Sequence, residues 1–112
     1  MEEGFELYSR LNDGILELRS ANRAMRDSGM EYAAAERDYK AAKAKKILEL
    51  RADSFPVTIC QDVAMGCAEV ANLRFDRDCA QVRYETDREY LWSIKLELRL
   101  LDAEIDRQTR GM

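Results

Sequence analysis

The stretch that decides the fold is Val70–Ile105, VANLRFDRDCAQVRYETDREYLWSIKLELRLLDAEI. Within it, one set of residues recurs at alternating steps of three and four. The set comprises Val70, Leu73, Arg77, Ala80, Tyr84, Asp87, Leu91, Ile94, Leu98, Leu101 and Ile105. This heptad spacing places the set on one stripe of an α-helix that packs along a partner helix. A helix of roughly 60 Å, at about 1.5 Å per residue, cannot lie inside a compact globule, so the stretch needs another helix along its length.

The N-terminal half of the chain shows the same alternation and can provide that partner. Its seam positions are Tyr8, Leu11, Ile15, Leu18, Asn22, Met25, Gly29, Tyr32, Ala35, Tyr39 and Ala42, followed after a slip of one residue by Ile47 and Leu50. Gly14 lies in mid-helix, where glycine costs about 1 kcal/mol relative to alanine. Gly29 leaves two alternatives open: one helix over residues 4–51, or two helices that meet near residues 27–30.

The only proline, Pro56, marks the turn between the two halves. A residue before proline is disfavoured in the α region, which predicts a helix stop and a turn over residues 52–57. Thr58 is the expected N-cap of a short helix over residues 58–65. Gly66 is expected to end that helix in the left-handed conformation.

The second long helix then covers residues 68–110. Because only a short connector joins the two long segments, they should pack antiparallel. We therefore predict an all-α fold: a single domain over residues 1–112, built as a long, coiled-coil-like antiparallel helical hairpin with a short connecting helix.

Composition limits the classes of partner. Charged residues make up 36% of the chain, aromatic residues 8%, and the formal net charge is −4. This charge argues against generic affinity for DNA or anionic membranes. No apolar run approaches the ~20 residues needed to span a bilayer, and the first residues lack the basic and apolar regions of a signal peptide. We expect a cytoplasmic protein that has no membrane partner.

Histidine is absent from the chain, and the three cysteines, Cys60, Cys67 and Cys79, form no C-x-x-C pair. In a reducing cytosol we expect these cysteines to be buried or half-buried small hydrophobes. The lack of histidine excludes Ser-His and Cys-His nucleophile pairs and the Glu-x-x-His ligands of bundle di-metal sites. No glycine-rich phosphate loop occurs. We expect no enzymatic activity, no metal and no cofactor.

A basic cluster precedes the turn. It comprises Lys40, Lys43, Lys45 and Lys46, flanked by Arg37 and Arg51. Glu36 lies one helical turn before Lys40, which predicts an i,i+4 ion pair. The cluster is either an exposed helix face whose cations favour the helix dipole, or a contact patch for nucleic-acid phosphate or an acidic protein. Without interleaved aromatic residues, it offers no platform for base stacking.

Apolar residues also occur off the C-terminal seam, at Phe75, Cys79, Val82, Leu96 and Leu100. They predict a second contact surface, filled by a folded-back N-terminal segment, a second copy of the chain or a partner protein. Tyr90 and Trp92 flank Leu91 and either cover the edge of the hairpin or, if exposed, anchor an interface. The candidate partner-binding residues are therefore Tyr90, Trp92, Phe75, Lys40, Lys43 and Lys46.

Two charged residues interrupt the C-terminal seam, and we expect them to set the register of the hairpin. Unpaired charges buried there would be costly, so they should pair across the hairpin, reach the edge or face a partner. Arg77 should lie opposite residues 42–46, near Glu49 or Asp38. Asp87 should lie opposite residues 30–36, near Arg37 or a tyrosine hydroxyl.

Several motifs around the turn resemble those of a group of phage proteins. The motifs are Lys43-Ala44-Lys45-Lys46-Ile47-Leu48-Glu49-Leu50-Arg51, Pro56-Val57-Thr58, Gly66, and Glu69-Val70-Ala71-x-Leu73-Arg74 with Asp78 and Ala80. Over residues 36–107 the chain resembles small helical proteins of unassigned activity from phages and prophages of Gram-positive bacteria. The motifs are structural, and Cys67 stands where a polar N-cap is expected. The resemblance implies a genomic neighbourhood of replication, recombination and host-takeover proteins.

Three functional hypotheses follow. The first is a non-enzymatic phage-type protein that inhibits or redirects a host nucleic-acid-processing or defence protein in the host cytosol, for example a CRISPR nuclease. The second is an accessory nucleic-acid-binding protein of phage recombination or replication that uses the basic face between Arg37 and Arg51. The third is a structural coiled coil that self-assembles, as a homodimer or larger oligomer, with no other partner.

Overall fold

The structure, a computed structural model, describes residues 4–111. This part of the chain forms three α-helices: α1 Gly4–Ala52, α2 Val57–Gly66 and α3 Ala68–Arg110. The long helix α1 packs against the long helix α3, which confirms the predicted all-α helical hairpin. α1 continues through both Gly14 and Gly29, so the first half is one helix.

The contacts group into two compact units. Unit 1 comprises Met1–Asp27 with Glu85–Met112, and unit 2 comprises Ser28–Tyr84. Each unit contains a segment of α1 packed against a segment of α3, and unit 2 also contains α2. The two units are described separately below.

The predicted seam of α3 is confirmed at every position. Val70, Leu91, Ile94 and Leu101 are buried, and the other predicted positions are half-buried. The remaining α3 residues are exposed except Gln81, Glu104 and Gln108. Heptad spacing of large apolar side chains therefore identified the packed face of this helix.

The buried stripe of α1 differs from the prediction at several positions. Leu7, Ala21 and Ser28 are buried, whereas the predicted Tyr8 and Asn22 are exposed. Small residues recur at every seventh position along this stripe: Gly14, Ala21, Ser28, Ala35 and Ala42. The prediction included Ala35 and Ala42, but it chose Asn22 and Gly29 instead of Ala21 and Ser28 because it placed the four-residue step before the three-residue step.

Two close approaches show a pairing of small with large residues. In unit 1, a Cβ atom added to Gly14 would lie 2.5 Å from Cδ2 of Leu98. In unit 2, a Cβ atom added to Gly29 would lie 3.2 Å from Cε1 of Tyr84. Carbon atoms in van der Waals contact lie about 3.5–4.0 Å apart, so only a residue without a side chain leaves these neighbours undisturbed.

The core of unit 1 is aliphatic. Ala21, Leu91 and Ile94 form its buried cluster. Leu18, Met25 and Leu98 pack around this cluster. Burial of such side chains stabilises a fold by roughly 25 cal/mol per Å² of apolar surface.

The core of unit 2 is aromatic where α1 meets α3 and aliphatic where α1 meets α2. The rings of Tyr32 and Tyr84 lie with centroids 6.1 Å apart, within the range of favourable aromatic pairs. At the other end, buried Leu50, Cys60 and Ala64 form a cluster that Ile47 flanks. The last turns of α1 thus pack against α2.

This packing of α2 explains an error in the predicted register. Arg77 lies over the ring of Tyr39, and not opposite residues 42–46. Tyr84 likewise lies beside Gly29. The prediction treated the connecting helix as a simple link between the ends of the long helices, whereas α2 folds back beside α1.

The end of α1 is a Schellman motif, in which two amides bond back to carbonyls of the last turn. The amide of Phe55 donates to the carbonyl of Leu50 at 3.0 Å, and the amide of Ser54 donates to that of Arg51 at 3.1 Å. Ser54 has φ 68°, the left-handed conformation that usually favours glycine. The helix therefore ends at Ala52, three residues before Phe55, the residue that precedes Pro56.

The predicted caps of α2 were wrong. Its N-cap is Pro56, and no side chain forms a capping hydrogen bond, so Thr58 is not the cap. No glycine among the described residues has positive φ. α2 ends through Cys67, which is extended at φ −70° and ψ 139°. Because the backbone becomes extended at Cys67, Gly66 does not adopt the left-handed conformation.

Candidate protein-binding surface

The basic cluster of α1 is largely ion-paired. Lys40 Nζ lies 3.5 Å from Glu36 Oε1, which confirms the predicted i,i+4 pair. Lys46 Nζ lies 3.7 Å from Glu49 Oε2. Exposed pairs of this kind contribute only about 0.2–1 kcal/mol each, but they reduce the positive potential of this face.

Arg37 and Lys43 are also engaged within unit 2. Arg37 Nη2 lies 3.1 Å from Asp38 Oδ1. Lys43 Nζ lies 5.9 Å from the centroid of the Tyr39 ring, at the outer range of a cation–π contact. The face between Arg37 and Arg51 is thus a mixed-charge helix surface.

Arg77, the first polar interruption of the α3 seam, lies over an aromatic ring. Its Cζ atom lies 4.6 Å from the centroid of the Tyr39 ring. Its Nη2 atom donates to Asp78 Oδ1 at 2.8 Å. This hydrogen bond is the main cause that raises the pKa of Arg77. The predicted contacts with Glu49 or Asp38 do not form: Asp38 pairs with Arg37, and Glu49 pairs with Lys46.

Asp87, the second interruption, is half-buried in unit 1. Within residues 4–111 its carboxylate forms no ion pair, and Arg37, one of its predicted partners, pairs with Asp38 instead. The two seam charges therefore differ: Arg77 has a hydrogen bond and a ring contact, and Asp87 has neither among the described residues.

Tyr90 covers the edge of unit 1. Its hydroxyl donates a hydrogen bond to Glu17 Oε1 of α1. This bond is the main cause that raises the pKa of Tyr90. The ring of Tyr90 is partly exposed, but its hydroxyl is already bonded to Glu17 of the same chain. This bond makes Tyr90 a weaker candidate for an interface anchor.

Trp92 is exposed over 59% of its surface. It lines an open depression on the side of α3 that faces away from α1, together with Glu89, Ser93, Leu96 and Arg99. We call this feature the Trp92 depression. It combines a large ring, an aliphatic side chain and one charge of each sign, which is the composition of a binding hot spot with a polar rim.

The sequence prediction did not include Glu89, Ser93 or Arg99 in the site. Only helical spacing could have indicated these residues, because residues three and four positions apart lie on the same helix face. Glu89 and Leu96 stand at those distances from Trp92 on either side, and Arg99 is a further step along the face.

Unit 2 has its own exposed apolar row, which we call the Phe75 row: Phe75, Cys79 and Val82. Phe75 and Val82 are exposed over 68% and 63% of their surfaces. The contacts of Lys40, Lys43 and Lys46 are with other residues of α1, namely Glu36, Tyr39 and Glu49.

The three cysteines differ in environment. Cys60 is buried, and its Sγ atom donates to the carbonyl of Pro56 at 3.2 Å. Cys67 is half-buried, and both agree with the predicted role of small hydrophobes. Cys79 is exposed, against the prediction, because it lies on the face of α3 opposite the seam.

No helix within residues 4–111 combines the length and the apolar character that crossing a membrane requires. Residues 4–111 contain no group of three or more cysteine, aspartate or glutamate side chains arranged to hold a metal ion.

Comparison of the chain with known protein families, curated proteins and solved structures found no match.

Proposed function

We propose that this chain is a non-enzymatic protein-binding module. The observation that carries the proposal is the exposure of large apolar side chains on the side of α3 opposite its buried seam. In unit 1 these are Trp92, Leu96 and Leu100, with exposures of 59%, 55% and 64%. Single exposed apolar residues are common on protein surfaces, but a group of them beside a depression marks an interaction site.

The chemistry of the Trp92 depression defines the kind of partner surface that fits it. The ring of Trp92 and the side chain of Leu96 favour an apolar projection, such as one face of a partner helix. Glu89 and Arg99 lie at the two ends of the depression and select partners with a matching pair of charges.

The finer proposal concerns the class of partner. The resemblance of residues 36–107 to small helical proteins of Gram-positive phages supports a host nucleic-acid-processing or defence protein as the target. A CRISPR nuclease is the sharpest version of this hypothesis. On this proposal the chain covers a surface of the target and so blocks access of other molecules to that surface. A few anchoring side chains can supply most of the binding energy for such a contact.

The nucleic-acid-binding alternative has less support. Lys40, Lys46 and Arg37 pair with acidic neighbours, and phosphate binding would have to displace these carboxylates. Phosphate contacts would also make any binding weaken steeply with added salt. If the alternative holds, Lys40→Glu, Lys43→Glu and Lys46→Glu together abolish salt-sensitive nucleic-acid binding.

The test of the proposal uses purified chain and a panel of purified host defence nucleases, assayed for binding and for nuclease activity. We expect binding to at least one member, lost in Trp92→Glu with Leu96→Glu. The matched control is Leu16→Glu, because Leu16 on α1 of unit 1 is exposed to a similar extent, 61%. Failure across the panel removes the defence version, and equal loss in the control removes the proposed surface.

A further inference from the structure

A groove runs along one side of the contact between α1 and α3 in unit 1. It has a volume of about 350 Å³ and is lined by residues between positions 7 and 17 of α1 and between positions 94 and 104 of α3. Both ranges belong to unit 1. We call this feature the Leu7 groove, and it has an apolar floor and a charged rim.

The floor of the Leu7 groove is formed by aliphatic side chains of both helices. Leu7, Ile94 and Leu101 are buried, and Leu98 is half-buried. Leu100, which also lines the groove, is exposed over 64% of its surface. A concave apolar surface favours a ligand that brings apolar groups of its own, because both surfaces then leave water.

The rim of the Leu7 groove is acidic. It carries one guanidinium and four carboxylates, which belong to Arg10, Asp13, Glu17, Glu97 and Glu104. Outside the groove, the described residues of unit 1 carry eight basic and seven acidic side chains. The negative charge of unit 1 is therefore concentrated at this groove.

The opposite side of the same helix contact has the opposite charge. A second groove there is lined by two basic side chains and one acidic side chain, together with two leucines: Lys95, Arg99, Asp102, Leu11 and Leu98. The negative potential thus belongs to one side of the α1–α3 contact and not to unit 1 as a whole. A charged ligand is attracted to the side that complements its charge.

We propose that the Leu7 groove binds a basic amphipathic helix of a partner protein. The apolar side chains of this helix, at steps of three and four residues, pack on the floor of the groove. Lysine or arginine residues on its flanks face the carboxylates of the rim. The same carboxylates disfavour DNA, RNA and anionic lipids, because they repel phosphate groups.

The length of the Leu7 groove suits a helical ligand. The groove follows each of the two helices for ten residue steps, or about 15 Å at about 1.5 Å per residue. This length corresponds to nearly three turns of a bound helix. An extended peptide gains less here, because two helices offer no free strand edge with which its backbone could pair.

A second copy of this chain is a poorer occupant than a different protein. The basic segment of α1 carries acidic residues among its lysines, and Lys40 and Lys46 lie next to Glu36 and Glu49. Docking of this segment would bring carboxylates against the acidic rim. The partner helix is therefore one whose basic flanks contain no acidic residues.

This inference goes beyond the proposed function, because the Leu7 groove and the Trp92 depression have no lining residue in common. The direct test uses the purified chain and a synthetic peptide of about 14 residues, with leucine at steps of three and four and lysine on the flanks. The matched control peptide has glutamate at every lysine position. Calorimetry should show at least about tenfold tighter binding of the lysine peptide. Absence of lysine-peptide binding below about 1 mM would overturn the proposal.

A double variant of the rim tests whether the charges of the groove attract the peptide. Asp13→Asn with Glu97→Gln removes two exposed carboxylates. Glu17 and Glu104 are left in place, because each already forms a polar contact within the chain. We expect this variant to bind the lysine peptide at least about fivefold more weakly.

The control variant removes the same number of charges from the opposite side of α3. Asp102→Asn with Asp106→Asn changes two carboxylates that lie one helical turn apart, so the two double variants have the same net charge. Binding should weaken by less than about twofold in this control. Equal weakening in both variants would show attraction to the whole chain and would overturn the groove as the site.

Leucine substitutions separate the Leu7 groove from the Trp92 depression. Leu100→Ser should weaken binding of the lysine peptide, because Leu100 lines the groove, whereas Leu96 lines the depression and Leu96→Ser should not. The opposite result would place the peptide in the depression and overturn the proposal. Amide chemical shifts provide a check without substitution, since the peptide should perturb residues 7–17 and 94–104. Circular dichroism confirms that each variant keeps its helices.

Sedimentation of the chain alone tests the remaining occupant. A dimer that the lysine peptide dissociates would show that a second copy fills the groove, and would overturn the proposal of a different partner. None of these measurements involves a nuclease, so their outcome is separate from that of the proposed function. If the lysine peptide binds the groove and no nuclease binds the chain, the groove stands and the functional proposal fails.

Discussion

Units 1 and 2 use the same heptad spacing with different chemistry. In unit 1 the seam is aliphatic, with Leu91 and Ile94 packed around the small Ala21. In unit 2 it is aromatic and polar, with Tyr39 buried beneath the guanidinium of Arg77. The comparison shows that heptad spacing determines which helix face is packed. The residue types on that face determine whether apolar burial or directional contacts stabilise the packing of α1 against α3.

The largest effect should come from the aliphatic seam. Ile94 is only 3% exposed, and Ile94→Ala should lower the free energy of unfolding by about 2–4 kcal/mol, because it removes buried methyl groups and leaves a cavity. Urea denaturation measures this change. The control, Leu100→Ala, removes an exposed side chain and should stay within about 0.5 kcal/mol of the parent. Equal effects at the two positions would mean that unit 1 is not packed as described.

The two seam glycines provide the next comparison. Gly14→Ala should destabilise unit 1 by at most about 1 kcal/mol, because its Cβ atom would lie 2.5 Å from Cδ2 of Leu98 and the cost of moving this side chain is partly offset by the gain in helix propensity. Gly29→Ala should be neutral or stabilising by up to about 1 kcal/mol, since the ring of Tyr84 needs to move only a few tenths of an ångström and the helix gains propensity. Thermal unfolding of the two variants decides the order. The reverse order would show that α1 approaches α3 most closely in unit 2.

The two seam charges should also respond differently. Asp87→Leu should raise the free energy of unfolding by about 1 kcal/mol, because it replaces a half-buried carboxylate without a countercharge by an apolar side chain. Arg77→Leu should change it by less than about 0.5 kcal/mol, because the loss of stacking on Tyr39 offsets the apolar gain. Melting temperatures report both changes, and sedimentation reports any loss of a unique assembly. A loss of stability in Asp87→Leu would mean that this carboxylate has a stabilising partner.

Ser54 tests the turn that belongs to unit 2 alone. Ser54→Gly should stabilise the chain by about 0.5–1 kcal/mol, because glycine adopts the left-handed conformation without steric cost. Ser54→Val, with a β-branched side chain, should do the opposite. Chemical denaturation of both variants gives the answer, and stabilisation by valine would exclude the Schellman geometry.

The smallest effect concerns pH and the edge of unit 1. The raised pKa of Tyr90, caused by its hydrogen bond to Glu17, means that the bond contributes fully below the ordinary tyrosine pKa of about 10. That contribution is lost as pH rises through the raised value. Tyr90→Phe should therefore lower the melting temperature by about 1 °C at pH 7 and should match the parent above the raised pKa. A difference that persists unchanged at high pH would point to packing of the ring instead.

The sequence alone predicted the hairpin and the seam of α3, because large apolar residues such as Leu91 and Leu98 repeat without ambiguity. It missed Ala21 and Ser28 on α1, since each stands next to another small or polar residue, Asn22 or Gly29, and no large apolar side chain there shows which of the two faces α3. The register was also missed, because it depends on how α2 packs against Leu50, a tertiary contact that no local pattern reports.

The candidate site was only partly predictable. The spacing placed Trp92 beside Leu91 but could not decide between an edge cover and an exposed anchor, since that choice depends on where α1 lies. The pairing of Tyr90 with Glu17 needs a contact between residues far apart in sequence. The ion pair of Lys40 with Glu36, in contrast, is local and was predicted correctly.

The central claim is that a single chain leaves the outer side of α3 open for binding. Trp92 is the only tryptophan, so its fluorescence reports on this surface without any substitution. In dilute solution we predict the emission of a water-exposed indole and ready quenching by acrylamide. Blue-shifted emission that resists quenching at the lowest concentration would show that the chain covers Trp92 itself, and would contradict the account.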